Sequence, residues 1–287
     1  MGLEENKNVI GKYLDDIKIE LGLDKDEVSE QLNNHLLGLG KRLMDALPSE
    51  REMACKEVRN LINPENISIS IYLYSFLVNI SQEGEILAEF FRYIRSLKEL
   101  GKEEKYFLYY QIKQLMFTYK TLDNAECRYQ KWMLFRDAFE GFKKSVNVPL
   151  ELIPQEERNP NLVVFITEEM LGLYHAPTRN TLERCAACKK ILGKEVLLVN
   201  TAEAANCVGY MPFYHSKICY YNEELKDLTG LEYGGVQIAY MQCEQNMPRA
   251  DILELLLLEI RRLRPCCIIT MGGNSILANL ANLMVPV

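Results

Sequence analysis

Histidine and tryptophan are scarce in this sequence, three of one and one of the other in 287 residues. Several catalytic signatures are missing as well. There is no HExxH, no GxSxG and no Walker-A sequence, so metalloprotease, α/β-hydrolase and P-loop readings have no support. Basic excess is also lacking. Lys and Arg number 33 against 40 Asp and Glu, for a net charge of −7. Non-specific nucleic-acid binding needs the opposite footprint, and no basic patch interleaved with aromatics overrides that average. A nucleic-acid partner is not expected.

Long hydrophobic runs are equally absent. The longest early one, 67–80, is about 14 residues and is broken by Ser68, Ser70, Ser75 and Asn79, too short and polar to span a bilayer. The amino terminus, MGLEENKNVIGKYLDD, has no apolar signal-peptide core. Asn6 stands where a myristoylation signal prefers Ser or Thr. The nine cysteines have no framework spacing and are odd in number. Free thiols in a reducing compartment fit that pattern, and the expected location is cytoplasmic.

What is present divides into two halves. Residues 1–147 carry apolar positions at helical spacing, punctuated by Gly, Pro and Asn. Val9, Ile10, Tyr13, Leu14 and Ile17 mark a first helix, and Leu47-Pro48 stops the next. Ser49 can cap a third helix that Asn63-Pro64 ends. Stretch 67–80 alternates like a strand at Ile67, Ile69 and Ile71, but Ile67, Ile71, Tyr74 and Val78 also fit a helix, and helical neighbours favour the helix. Further helices are expected over 84–100, 103–119 and 124–145. The succession reads as a bundle or a short helical solenoid. The aromatic face of the last helix, with Trp132, Met133, Phe135, Phe139 and Phe142, is expected in the core.

Residues 148–160, rich in Pro and acids, read as a linker. The period then changes. The apolar, β-branched run 162–167 has the look of a buried parallel strand. Thr178 is expected to cap a helix ending at Gly193, and 195–201 is a second buried strand, making a βαβ unit. Strands are expected again at 235–243 and 266–270, separated by a helix over 251–263 whose acids lead and whose arginines trail, as the helix dipole favours. Residues 284–287 look like the start of one more strand, so the natural protein is expected to continue past Val287. The fold class is α/β: an all-α amino-terminal domain, then a parallel-sheet α/β domain over 161–287.

Candidate site residues lie in the loops that follow strands, where ligands bind in open α/β sheets. The first loop holds Gly172, Tyr174, His175, Pro177 and Thr178. An imidazole there suits proton transfer because its pKa lies near working pH. A histidine that shapes the loop through backbone hydrogen bonds is the structural alternative. The second is Gly272, Gly273, Asn274 and Ser275, where small residues and helix-start amides suit close approach of an anion; a plain capped turn is the alternative. Glu203 follows the second strand, where dinucleotide-binding proteins keep a ribose-binding acid. The first loop has only one glycine, so the G-x-G-x-x-G motif is missing and no dinucleotide or other cofactor is expected. Cys185-Ala-Ala-Cys188 has no second CxxC or His pair at metal-ligand spacing and is expected to pack in the core, leaving no metal site. The aromatic segment 210–221, with His215, fits either a groove lining or a buried cluster.

The segment Gly172-Leu-Tyr-His175-Ala-Pro-Thr178, after a strand and before a helix that ends in Gly193-Lys-Glu-Val, resembles the start of the amino-terminal domain of GT-B glycosyltransferases. The resemblance covers about residues 160–287 and rests on pattern. It implies a Rossmann-like domain forming the acceptor side of an enzyme that transfers a sugar from a nucleotide-sugar donor to a glycan or protein acceptor. His175 would be the catalytic base or an acceptor contact, and 272–275 would face the donor. The resemblance puts the donor mainly in a carboxyl-terminal domain that this chain does not contain, so the chain alone would be inactive. A homodimer is compatible with the mixed hydrophobic surface of the helical half. Two other readings stay open: a non-catalytic interaction or sensor protein with a Rossmann-like domain, and a nucleotide-sugar epimerase fragment.

Overall fold

A computed structural model describes residues 3–23, 27–204, 211–217, 221–244 and 246–287, with side chains from residue 6 onward. The described chain is mixed α/β, with ten α-helices and one five-stranded sheet. It forms two compact units that do not follow a single cut in the sequence. One comprises 1–100, 104–135 and 209–217, and the other 101–103, 136–208 and 218–287.

The first unit is helical: α1 (Leu3–Leu21), α2 (Glu30–Met44), α3 (Pro48–Asn60), α4 (Ile67–Ser81), α5 (Gly84–Ser96), most of α6 (Lys102–Thr118) and the first half of α7 (Ala125–Ser145). Local chemistry sets the boundaries. The Ser29 hydroxyl accepts from the Leu32 amide at 3.0 Å to start α2, and Asn66 accepts from Ile69 at 3.1 Å to start α4. Pro48 occupies the first turn of α3, where its missing N–H costs nothing. The 67–80 ambiguity resolves as helix because α4 is buried from Ile69 to Asn79, on every face. The interior Ser70 and Ser75 hydroxyls donate to the carbonyls of Asn63 and Tyr72. Segment 211–217 inserts Phe213 and Tyr214 into this helical core, where Tyr214 meets Phe76 edge-on at 4.9 Å. In α7, Met133, Phe135 and Phe142 are buried as expected and Phe139 is half-buried, while Trp132 and its neighbour Tyr129 are more than half exposed.

The second unit carries the sheet, ordered β3-β4-β2-β1-β5. Strands β1 (Asn159–Thr167), β2 (Glu195–Asn200), β4 (Val236–Gln242) and β5 (Pro265–Met271) are parallel, and β3 (Gly230–Tyr233) pairs antiparallel at the β4 edge. β1 lies inside the sheet, between β2 and β5, and is buried from Val163 to Thr167, which explains its unbroken apolar run. One face packs Val163, Phe165, Val196 and Leu198 against Leu182, Cys185 and Cys188 of α8 (Ala176–Leu192). α9 (Ala250–Leu263) buries Leu253, Leu256, Leu257 and Ile260, one helical stripe. Gly193 closes α8 in the left-handed conformation at φ 63°, which glycine adopts without strain.

Several expectations are corrected. β1 begins at Asn159, inside the stretch read as linker. His175, not Thr178, occupies the cap position of α8. The terminal residues form no strand: after α10 (Ile276–Ala281) the chain turns, and the Met284 and Pro286 carbonyls accept from Ile153 and Ile268, both at 2.8 Å. β3 has little signal in the sequence, since it is four residues long and Gly234-Gly235 follow at once. Tyr210 and residues 218–220, part of the aromatic segment, lie outside the described residues, as do Cys207 and Cys219. No described helix is long and apolar enough to cross a membrane.

Candidate functional site

The strand order reverses between β1 and β5: the chain leaves β1 for β2 and β4 on one side, then returns through α9 to β5 on the other. Such a switch point opens a crevice beyond the carboxyl ends of the two strands. The loops emerging there are the two that the sequence singled out, 168–175 after β1 and 272–275 after β5.

In the first loop, Gly172 takes φ 115°, a conformation that side chains rarely adopt, and its carbonyl accepts from the His175 amide at 3.0 Å. His175 then opens α8, with Pro177 in the first turn. The Thr178 hydroxyl accepts from the Leu171 amide and lies 3.0 Å from His175 Nδ1, while Nε2 stands 3.6 Å from Glu169 Oε1. A carboxylate facing Nε2 favours a proton on that nitrogen, leaving Nδ1 to accept from Thr178. Held this way, His175 is a proton donor on its Nε2 side. Tyr174 is fully exposed.

The second loop is tied to the first. Gly273 N–H donates to Glu168 Oε1 at 2.7 Å, and Gly272, at φ 112°, lets the backbone pass over the Glu168 side chain. Ser275 caps α10 by accepting from the Ala278 amide at 3.2 Å, and it donates to Glu203 Oε1 at 2.9 Å. Glu203 also accepts from the Ile276 and Leu277 amides at 2.7 and 3.1 Å. Asn274 is exposed.

Glu203 is fully buried, and burial pushes its carboxyl up to about 7; the nearby Glu168 charge adds to this, while the two amides and Ser275 oppose it. The amides that would have met an anionic ligand at α10 therefore meet protein carboxylates. Glu203 is directed to this helix start, which accounts for it without a ribose. Glu168 has one signal in the sequence, its place directly after the last residue of a buried strand.

Gly172 lies in the loop after β1, His175 caps α8, Pro177 and Thr178 stand in the first turn of that helix, and Glu168 joins 272–275 to them. Chemically, the arrangement offers a proton-carrying imidazole with its orientation set by Thr178 and Glu169. Cys185 and Cys188 pack in the core with Cys266 and Cys267, whose sulfurs are 3.8 Å apart. Burial drives Cys185 up to about 12 and raises Cys188, which keeps both as thiols at neutral pH. Among the described residues, no group of three or more His, Cys, Asp or Glu could hold a metal ion. Compared with known proteins, the chain matches no family model, no curated protein and no solved structure.

Proposed function

We propose that this chain forms the acceptor side of a GT-B glycosyltransferase that moves a sugar from a nucleotide-sugar to a hydroxyl or amide, the donor being held by a further domain. The observation that supports this is the pairing of the His175 loop with 272–275 across the β1/β5 switch point, through the Gly273–Glu168 hydrogen bond. In the resting arrangement Nε2 faces Glu169. When the acceptor displaces Glu169, the imidazole takes up the Nδ1–H tautomer, whose proton is donated to the Thr178 hydroxyl, and the freed Nε2 lone pair takes the acceptor proton as the nucleoside diphosphate leaves the sugar.

The test is sugar transfer by the natural gene product. His175→Ala is expected to lower transfer by about 100-fold or more, the usual loss on removing a general acid–base group. Unchanged turnover would sink the assignment. Nucleoside diphosphate released only when acceptor is present separates transfer from epimerisation.

A second reading, a ligand sensor without turnover, is favoured by one observation. The amides of Gly273, Ile276 and Leu277 are engaged by Glu168 and Glu203, which crowds donor phosphates from that loop. Saturable nucleotide-sugar binding without any diphosphate release would select it.

A further inference from the structure

A cavity of about 680 Å³ lies within the helical unit, a size ordinary for small-molecule sites. Its apolar wall is Leu37, Leu43, Ile80, Tyr119 and Tyr214. Its charged lining is of one sign: Lys41 and Arg51 from α2 and α3, and Lys217 with His215 from segment 211–217. Among the described residues no Asp or Glu lines it, in a chain whose net charge is −7.

Part of this basic lining has a local duty. Arg51 donates through Nε and Nη2 to the Leu43 and Met44 carbonyls at 3.1 and 3.2 Å, closing the end of α2, and Lys41 sits in the last turn of that helix. Lys217 has no such duty. Among the described residues, neither the Lys217 nor the Lys41 ammonium has an ion-pair partner.

The segment that supplies Lys217 and His215 is firmly held. Tyr214 N–H donates to Ser75 Oγ at 2.8 Å, and Asn79 Nδ2 donates to the Tyr214 carbonyl at 3.3 Å. Gln111 brackets Lys217, accepting from its amide at 2.7 Å and donating to its carbonyl at 3.0 Å. His215 is kept at φ 53°, in the left-handed region, and Gln82 on the same lining at φ 55°. An apolar wall with an unneutralised cationic side complements one kind of guest.

We infer that this cavity binds a single soluble amphipathic oxyanion, an organic phosphate or carboxylate whose head meets Lys41, Arg51 and Lys217 and whose apolar body lies against Tyr214 and Tyr119. The site is independent of the strand-end reading, because every described residue in it belongs to the helical unit.

Isothermal titration with octyl phosphate tests it, with octanol and inorganic phosphate as separate arms. One octyl phosphate per chain is expected, with either control at least about tenfold weaker, since each lacks one half of the complementarity. Lys41→Glu/Lys217→Glu changes two exposed side chains and should leave the helical circular dichroism intact. It should weaken octyl phosphate by about tenfold or more. The His215 ring titration, followed by NMR, should move upward on saturation, as an adjacent anion stabilises imidazolium. No saturable binding, binding indifferent to the charge reversal, inorganic phosphate or octanol as tight as octyl phosphate, or an unmoved His215 titration would each overturn the inference.

Discussion

Glu203, just past the end of β2, accepts a 2.9 Å hydrogen bond from Ser275, which opens α10 seventy-two residues later. The contact anchors the 272–275 loop from beneath and determines which amides remain for a ligand. It also buries a carboxylate whose protonation is linked to folding.

Burial raises the Glu203 carboxyl from 4.5 to about 7 in the folded protein. Between those values the folded state holds more protons than the unfolded one, so the Glu203 contribution is fully present below 4.5 and is lost as pH rises through about 7. Urea unfolding of wild type and Glu203→Gln across this window checks it. The difference in stability should change by up to a few kcal/mol, with wild type losing ground as pH rises. A pH-independent difference would contradict the assignment.

Gly40 lies inside α2, where glycine costs a helix about 1 kcal/mol relative to alanine. A Cβ there would overlap the Tyr214 hydroxyl. Gly40→Ala is therefore expected to destabilise by roughly 1–3 kcal/mol despite its better propensity. In a Tyr214→Phe background most of that loss should vanish, and a double-mutant cycle on thermal or urea midpoints reads the coupling.

Thr178→Val removes the hydroxyl that accepts from the Leu171 amide and sits beside His175 Nδ1. A loss of about 1–2 kcal/mol is expected from the stranded amide. The ¹⁵N shifts of His175 should report Nε2–H as the neutral tautomer in wild type, with that preference reduced in the variant. An Nδ1–H tautomer in wild type would reverse the role given to Glu169.

Cys185 and Cys188 are buried, and their raised pKa values keep them protonated. Thiol labelling at pH 7.5 under native conditions should leave both unmodified for as long as the fold persists, while labelling in urea should reach both. Native-state labelling at the same rate as in urea would mean that the α8 face is not packed as described.

Where sequence and structure agree, the reason is local. The seven helices before β1 follow from apolar spacing and from stops such as Leu47-Pro48 and Asn63-Pro64. The parallel strands stand out because burial on both faces leaves an unbroken apolar run in β1. The His175 loop was legible for the same reason, as the link between such a strand and an amphipathic helix. Exposed Trp132 shows the limit of that logic: an aromatic on a helical stripe need not face inward.

The partners of those residues were not legible. Nothing in the spacing joins Glu168 to Gly273, Glu203 to Ser275, or Cys188 to the Cys266–Cys267 pair, because each meeting depends on β1 lying between β2 and β5. Segment 211–217 carries no mark of its place among the helices; Gln111, Ser75 and Gly40 receive it through contacts more than a hundred residues apart in the chain. The sequence by itself determined the seven helices before β1 and the four parallel strands, since hydrophobic periodicity acts over a few residues. Only the tertiary structure decided which carboxylates fill the loop amides and which cations share a cavity, because hydrogen bonds and charges act through space, with no regard for distance along the chain.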